Sequence, residues 1–341
     1  MLDYIVKKIS QVDRNELYSF YKVVFRDRYK ILFENLDWWY RLKISNLEPI
    51  ILTLNNKIIG QLGIIPTKIK IEDNIKSATW YIDFAVLPEF HGKGAGTMLA
   101  KEGTRMAEIQ IAFCNDDALK VYKKLNWQIN RFTKRLVRPI NPIRLMPYIK
   151  NSNSKILSFL YNFSIRRKLS SLNTIKPINF SEILKETLKN FLLKKIKPST
   201  YPEFFRDEEW FNWRFVEFPF RKNLNIFEFN GNYVIAHFLK LKNIKRLHVL
   251  YHFYLDQPEE TKMYFLITKW AIENNFDLIW SCSANHNLIK NLNPILPKKL
   301  EKTITIACFS SDEKIYQNLN KNFINIQAAD SDMDTLYLKN L

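Results

Sequence analysis

The chain has 341 residues, 47% of them apolar and 25% charged, which suits two domains with a core each and excludes a disordered chain. No apolar run approaches the roughly 18 residues of a membrane-spanning helix. The first ten residues carry Asp3, Lys7 and Lys8 and hold no apolar block of signal-peptide kind. The net charge of +18 favours anionic partners: a polyphosphate cofactor, an acidic substrate, nucleic acid or an anionic membrane face.

In chain order, Tyr4–Ile9 reads as a short strand. Asp13 is placed to cap a helix running to about Phe25, with Leu17, Phe20 and Tyr21 on one face. A second helical piece covers Asp27 to Lys43. Residues 50–54, the pair Asn55-Asn56 and residues 57–60 form a hairpin pattern. The aromatic and β-branched run Thr79–Leu87 reads as a buried strand that Pro88 ends. A glycine-rich loop follows, then residues 97–107 with Met98, Leu99 and Met106 at helix-like spacing. Ile109–Cys114 is another short strand. Half strand and half helix makes this an α+β domain, a mixed α/β sheet architecture.

The glycines are concentrated. The chain has only seven, about a third of ordinary usage, yet Gly92, Gly94 and Gly96 fall in one loop. Such spending implies φ > 0 or close backbone approach there. Strand, glycine loop and helix together turn backbone N–H groups and a positive helix end toward a phosphate. A P-loop is excluded because Gly94 follows Lys93, and the dinucleotide fingerprint because the spacing is G-x-G-x-G.

The stretch Val86-x-Pro88-x-x-His91-Gly92-x-Gly94-x-Gly96 resembles the acetyl-CoA motif of the GNAT N-acetyltransferase superfamily, V-x-P-x-x-[R/Q]-x-x-G-x-[G/A], at the end of the fourth strand. Asn115-x-x-Ala118-x-x-x-Tyr122-x-x-x-Asn126-Trp127 resembles that family's second signal, N-x-x-A-x-x-x-Y-x-x-x-G-[F/W]. His91 stands where Arg or Gln is usual, and Asn126 where Gly is usual. Asn tolerates the left-handed conformation that a helix end favours, so that change is mild.

The resemblance implies acetyl-CoA as acyl donor and direct transfer to a primary amine. It places the amides of Gly92, Lys93, Gly94, Ala95, Gly96 and Thr97, with His91 at their head, around the pyrophosphate. Phe84, Ala85 and Val86 would line the pantetheine arm with backbone groups, Asn115 and Ala118 would touch it, and Lys93 and Lys124 could meet phosphates. Each has a plain alternative: a tight turn, solvated lysines, and a helix cap for Asn115. Tyr122 takes the role of general acid, a phenol protonating the departing thiolate, although it is equally a good core residue. For the base, the expected strand positions hold Trp80 and Ile82, leaving Asp83. By alternation Asp83 points away from the substrate side unless a bulge re-aims it. It is therefore either a base or a satisfied buried acid, and water-relayed deprotonation is the remaining route.

The second half echoes the first. Trp38-Trp39-Tyr40-Arg41 has a counterpart in Trp210-Phe211-Asn212-Trp213-Arg214, and residues 225–236 form a hairpin around Asn230-Gly231. Residues 247–255, 259–274 and 276–282 then read as strand, helix and strand. Where the glycine loop should stand, Asp256-Gln257-Pro258-Glu259-Glu260 carries carboxylates that would repel a pyrophosphate. No acidic residue occurs between Asp117 and Glu182. Within that stretch, Ile156–Tyr161 lies in a basic segment that reads as a linker helix or a patch resting on anionic lipid.

The expected organisation is a GNAT-like fold in two tandem domains around central mixed sheets: residues 1–140 catalytic, 141–172 a basic linker, and 173–341 a degenerate copy. Its expected activity is that of an N-acetyltransferase acting on an amino sugar of a surface polysaccharide pathway, nucleotide- or lipid-phosphate-linked. An amino acid, peptide or protein lysine is the alternative acceptor, and a CoA- or polyanion-binding module without turnover is the alternative class. Cys114, Cys282 and Cys308 show no CxxC or Cys/His ligand spacing, and Asp330, Asp332 and Asp334 lack a calcium loop's Gly and Glu. No metal is expected, and a reducing cytoplasm is the natural compartment, with peripheral contact at the inner membrane face as a variant. Nucleic acid is an improbable partner for want of any recognised binding signature.

Overall fold

The computed structural model describes residues 3–145, 163, 166–167, 169–180, 201–241, 243–253, 257–283, 301–322 and 324–331. Strand β1 (Ile5–Lys8) leads into helix α1 (Arg14–Val24), where Asp13 accepts hydrogen bonds from the amides of Asn15 and Glu16. Leu17, Phe20 and Tyr21 form its buried face, as their spacing predicts. The second helical piece is not continuous. It breaks into α2 (Tyr29–Glu34) and α3 (Leu36–Trp39), because Asn35 leaves helical geometry at φ −117, ψ 24.

Strands β2 (Ile50–Leu54) and β3 (Lys57–Ile71) turn on Asn55 and Asn56, both left-handed. Beyond residue 60 the hairpin continues with β4 (Asn74–Val86), so β3 and β4 are far longer than their most apolar stretches suggest. Then come α4 (Ala95–Gly103), β5 (Ile109–Phe113), α5 (Asp116–Lys124), β6 (Gln128–Asn130), β7 (Lys134–Pro139) and α6 (Pro142–Leu145). The later elements are β8 (Ile178–Asn179), β9 (Glu203–Phe204) and α7 (Glu208–Phe211), which runs into a π turn over Asn212–Val216, then β10 (Leu224–Phe229), β11 (Asn232–Leu241) and β12 (Ile244–Phe253). The last are α8 (Gln257–Glu273), β13 (Leu278–Ser283), β14 (Glu301–Thr303), β15 (Ile306–Phe309) and α9 (Glu313–Lys321).

Two compact units form, and neither is continuous in sequence. The first is made of residues 1–133, 199–219 and 304–325; the second of 134–198, 220–303 and 326–341. This differs from a contiguous 1–140, 141–172, 173–341 division. The first half of the chain sends β7 to the second unit's sheet, and the second half sends β9 and β15 to the first unit's. The reason is pairing: β7 (KRLVRP) and β15 (IACF) are short, and nothing in their own residues says which edge they join.

The sheet of the first unit has the order β1-β2-β3-β4-β5-β15-β6, with β9 also pairing β3. Only β4 and β5 are parallel; every other neighbour is antiparallel. The sheet of the second unit, β8-β10-β11-β12-β13-β7-β14, repeats that order and that single parallel pair, β12 with β13. The internal repeat is therefore structural. In the first unit, residues 87–94 separate β4 from α4. In the first core, Leu62, Ile64, Tyr81, Leu99, Tyr122 and Trp127 pack under α4 and α5. The second packs Phe227, Val234, Leu247, Met263, Ile267 and Trp270 under α8. Each such buried side chain contributes about 1.5–3 kcal/mol.

Among the described residues, no helix is long and apolar enough to cross a membrane and no cluster of metal-ligating side chains occurs. All three cysteines are free thiols. The segment Ile156–Tyr161 and the residues Asp256, Asp332 and Asp334 lie outside the described residues.

Candidate acyl-donor site

The site grows from the one parallel strand pair of the first unit. β4 and β5 are paired only from Ala78↔Ile109 to Tyr81↔Ala112, although β4 continues to Val86. Past Tyr81 the two strands fork, leaving Ile82 to Val86 without a β5 partner. On its other side β4 stays bonded to β3 as far as Gly60↔Val86, through an irregularity opposite Gln61–Gly63. Asp83 sits in that bulge at φ 47, the left-handed region that a non-glycine residue occupies only when its surroundings enforce it. Phe84, Ala85 and Val86 follow on the forked edge and are half-buried.

The loop after β4 folds as the glycines predict. Pro88–Phe90 make one 3-10 turn, and Gly92 and Gly94 adopt φ 75 and 86. A Cβ at either would meet nothing within 4 Å, so these glycines serve backbone conformation and not space. Gly103 is the opposite case, since its Cβ would come within 2.2 Å of Tyr81 Oη. That absence lets α4 lie close on β4. Gly94 caps α4 with no side-chain bond, and the first turn of α4 holds no acidic residue. Its leading amides are thus open to an anion, which the helix end favours.

His91 holds the loop shut. Its Nε2 donates to the carbonyl of Val86 at 2.9 Å, tying the loop to the last residue of β4. Backbone bonds also hold the loop, the Leu87 amide donating to the Ile59 carbonyl at 2.8 Å and the Lys93 amide to the Phe90 carbonyl at 3.3 Å; Tyr4 Oη donates to the Lys93 carbonyl at 3.1 Å, and Lys93 Nζ lies 5.6 Å from the Phe90 ring centre. Lys93 and Lys124 are exposed.

Helix α5 forms the facing wall. Asn115 caps it, its Oδ1 accepting from the amide of Ala118 at 2.8 Å, and Asn126 closes it at φ 57 as the sequence predicts. Tyr122 is buried, stacked on Trp127 with ring centres 4.4 Å apart. Burial first, then Cys114 and Tyr81, raises its phenol well above the usual tyrosine range, so it keeps its proton. Burial likewise pushes the neighbouring Cys114 thiol up to about 12, which leaves it no useful thiolate.

Asp83 is re-aimed by the bulge toward α3. Its Oδ2 accepts from Trp39 Nε1 at 2.8 Å and from Tyr40 Oη at 3.1 Å, and its Oδ1 lies 3.4 Å from Arg28 Nη2. Gln61 Nε2 donates to Tyr40 Oη at 2.9 Å, and Tyr21 Oη donates to Gln61 Oε1 at 2.8 Å. Burial, then the Asp83 charge, raises the Tyr40 phenol. Sequence reasoning missed Arg28, Trp39, Tyr40, Gln61 and Tyr21 as surroundings of this site. The run Trp38–Arg41 was visible as a repeat, but nothing in it points to a carboxylate on a distant strand.

The parallel pair that forks after Tyr81 and the uncapped start of α4 beside it are a geometry that suits a phosphate-bearing ligand. Residues 14–127 match the Acetyltransferase (GNAT) family. Those residues therefore form a GNAT acetyltransferase domain, the acyltransferase part of the chain. No curated protein matches it in sequence.

The fold extends the likeness over both units. A protein from Enterococcus faecalis V583 described as a probable N-acyltransferase is 12% identical, with a TM-score of 0.57, over 92% of this chain and 74% of that one. A GCN5-related N-acetyltransferase from Kribbella flavida is 8% identical, with a TM-score of 0.60, over 90% and 70%. The Saccharomyces cerevisiae N-myristoyltransferase solved with bound myristoyl-CoA is 11% identical, with a TM-score of 0.54, over 91% and 83%.

Proposed function

We propose that this protein transfers an acetyl group from acetyl-CoA directly to a primary amine. The observation that carries the reading is the fork between β4 and β5, with open amides at the start of α4 beside it. The amides from Gly92 to Thr97 hold the pyrophosphate, with that of Lys93 shared with the Phe90 carbonyl, and the unpaired edge of β4 from Phe84 to Val86 aligns the pantetheine arm. A backbone donor at the β4 bulge polarises the thioester carbonyl where negative charge develops. Asn115 and Ala118 border the arm, and Lys124 meets phosphate at long range.

Tyr122 delivers its proton to the departing thiolate as the amine attacks the carbonyl carbon and the C–S bond breaks. Its raised phenol guarantees that the proton is present at any physiological pH. Asp83 already serves Trp39, Tyr40 and Arg28, which favours an anchoring role at the bulge over that of base, with deprotonation of the amine passing to water.

The acceptor we favour is an amino sugar carrying a nucleotide or lipid phosphate, in a surface polysaccharide pathway and in the cytoplasm; the net charge of +18 suits such an anion. The test is Tyr122→Phe assayed with a panel of amines. Turnover falls by about 10²–10⁴-fold while affinity for CoA stays, because the ring and its stack on Trp127 remain. Unchanged turnover removes Tyr122 from the reaction, and no turnover of any amine by the unmodified protein refutes the proposed activity.

A further inference from the structure

The fold alone does not set the length of the acyl group, so side chains at the apex of the fork must. We propose that Phe113, braced by Trp80, is the stop that restricts this enzyme to short acyl groups; the inference rests on the reading that the thioester lies in the fork of β4 and β5. Tyr81 and Ala112 are the last paired residues, and Phe113 is the next residue on β5. Its ring meets Trp80 edge-on, with ring centres 4.7 Å apart and planes at 89°. Trp80 is fully buried and is backed in turn by Phe204, 5.2 Å away and itself buried. Trp80 therefore has nowhere to retreat, and Phe113 is fixed against it.

The opposite face of the sheet is equally closed. Tyr81 packs against Tyr122 and Trp127, and there is no room for even a methyl group between Tyr81 and Gly103. What remains at the apex is the width gained where the strands part. A two-carbon acyl group fits such a gap; a chain several carbons longer must turn Phe113 off Trp80 or break the stack around Tyr122. Interiors packed in this way yield little without loss of contacts.

The test needs no acceptor. Dissociation constants of the full-length protein are measured for CoA, acetyl-CoA, butyryl-CoA and octanoyl-CoA, for wild type, Phe113→Leu and Phe113→Ala. Wild type binds octanoyl-CoA at least tenfold more weakly than acetyl-CoA. Phe113→Ala brings that ratio to within about twofold, Phe113→Leu falls between, and CoA itself binds all three alike. Wild type indifferent to chain length, or a ratio unmoved in both variants while CoA still binds, overturns the stop and leaves the donor site intact. Failure of wild type to bind CoA at all overturns the donor-site reading and the stop with it. Should Phe113→Ala not fold, the Phe113→Leu ratio decides alone.

Discussion

Replacing Gly94 separates the two things this position does. Its backbone stands at φ 86, ψ −8, and a Cβ there meets nothing within 4 Å. Gly94→Ala therefore carries backbone strain alone, about 1–2 kcal/mol, which the fold survives. Gly94→Glu adds a charge to the same strain. At about 5 Å from one phosphate charge, repulsion is about 0.8 kcal/mol at the dielectric of water and about 3 kcal/mol at an effective dielectric of 20. Affinity for acetyl-CoA should then fall about 4-fold at the least and about 300-fold where water is excluded, and the second phosphate deepens the loss. The assay is a thermal melt with acetyl-CoA, with ADP as control ligand. Wild type at about 100 times the dissociation constant gains roughly 2.7 kcal/mol. Gly94→Ala melts a few degrees lower but keeps the gain, whereas Gly94→Glu loses most of it. A full ligand shift in Gly94→Glu would falsify the placement of the pyrophosphate on this loop.

The remaining predictions concern the residues around the fork. Asp83→Asn keeps an acceptor for Trp39 and Tyr40, so it retains turnover within about tenfold while Asp83→Ala loses far more; a drop of about 10²–10⁴-fold in Asp83→Asn would instead identify a base. His91→Ala frees the loop from Val86 and raises the KM for acetyl-CoA about fivefold with kcat little changed, while His91→Gln restores it, since its amide can donate to the same carbonyl. Equal KM values in all three would leave that bond without function. Burial raises the phenols of Tyr21, Tyr40, Tyr81 and Tyr122. Above about pH 10 the unfolded chain releases these protons and the folded chain retains them, so stability holds below that pH and declines above it. The decline is up to about 1.4 kcal/mol per pH unit for each tyrosine. Urea melts between about pH 9 and about pH 11 should show it, more gently in Tyr122→Phe; a flat response would mean that the phenols ionise freely in the fold.

Much of the local geometry of the candidate site was legible in the sequence because its parts are local. Three glycines within five residues after an aromatic strand identify a loop needing positive φ, and Gly92 and Gly94 supply it. Asn115 and Asn126 mark the two ends of α5, and Tyr122 lies one helical turn from Ala118, all within a single element. Local backbone chemistry repeats wherever the same residues recur, so pattern reasoning reaches it.

The rest depends on pairings between residues far apart in the chain. That Asp83 would turn toward Trp39 and Tyr40 follows from a bulge opposite Gln61–Gly63, and that register is set by the whole β3–β4 ladder. The tie from His91 to Val86, the contact of Phe113 with Trp80 and the exchange of β7 and β15 between the two sheets are likewise tertiary. A strand's sequence declares which face it buries; which edge it joins is decided by the total energy of the sheet, and no single segment encodes that sum.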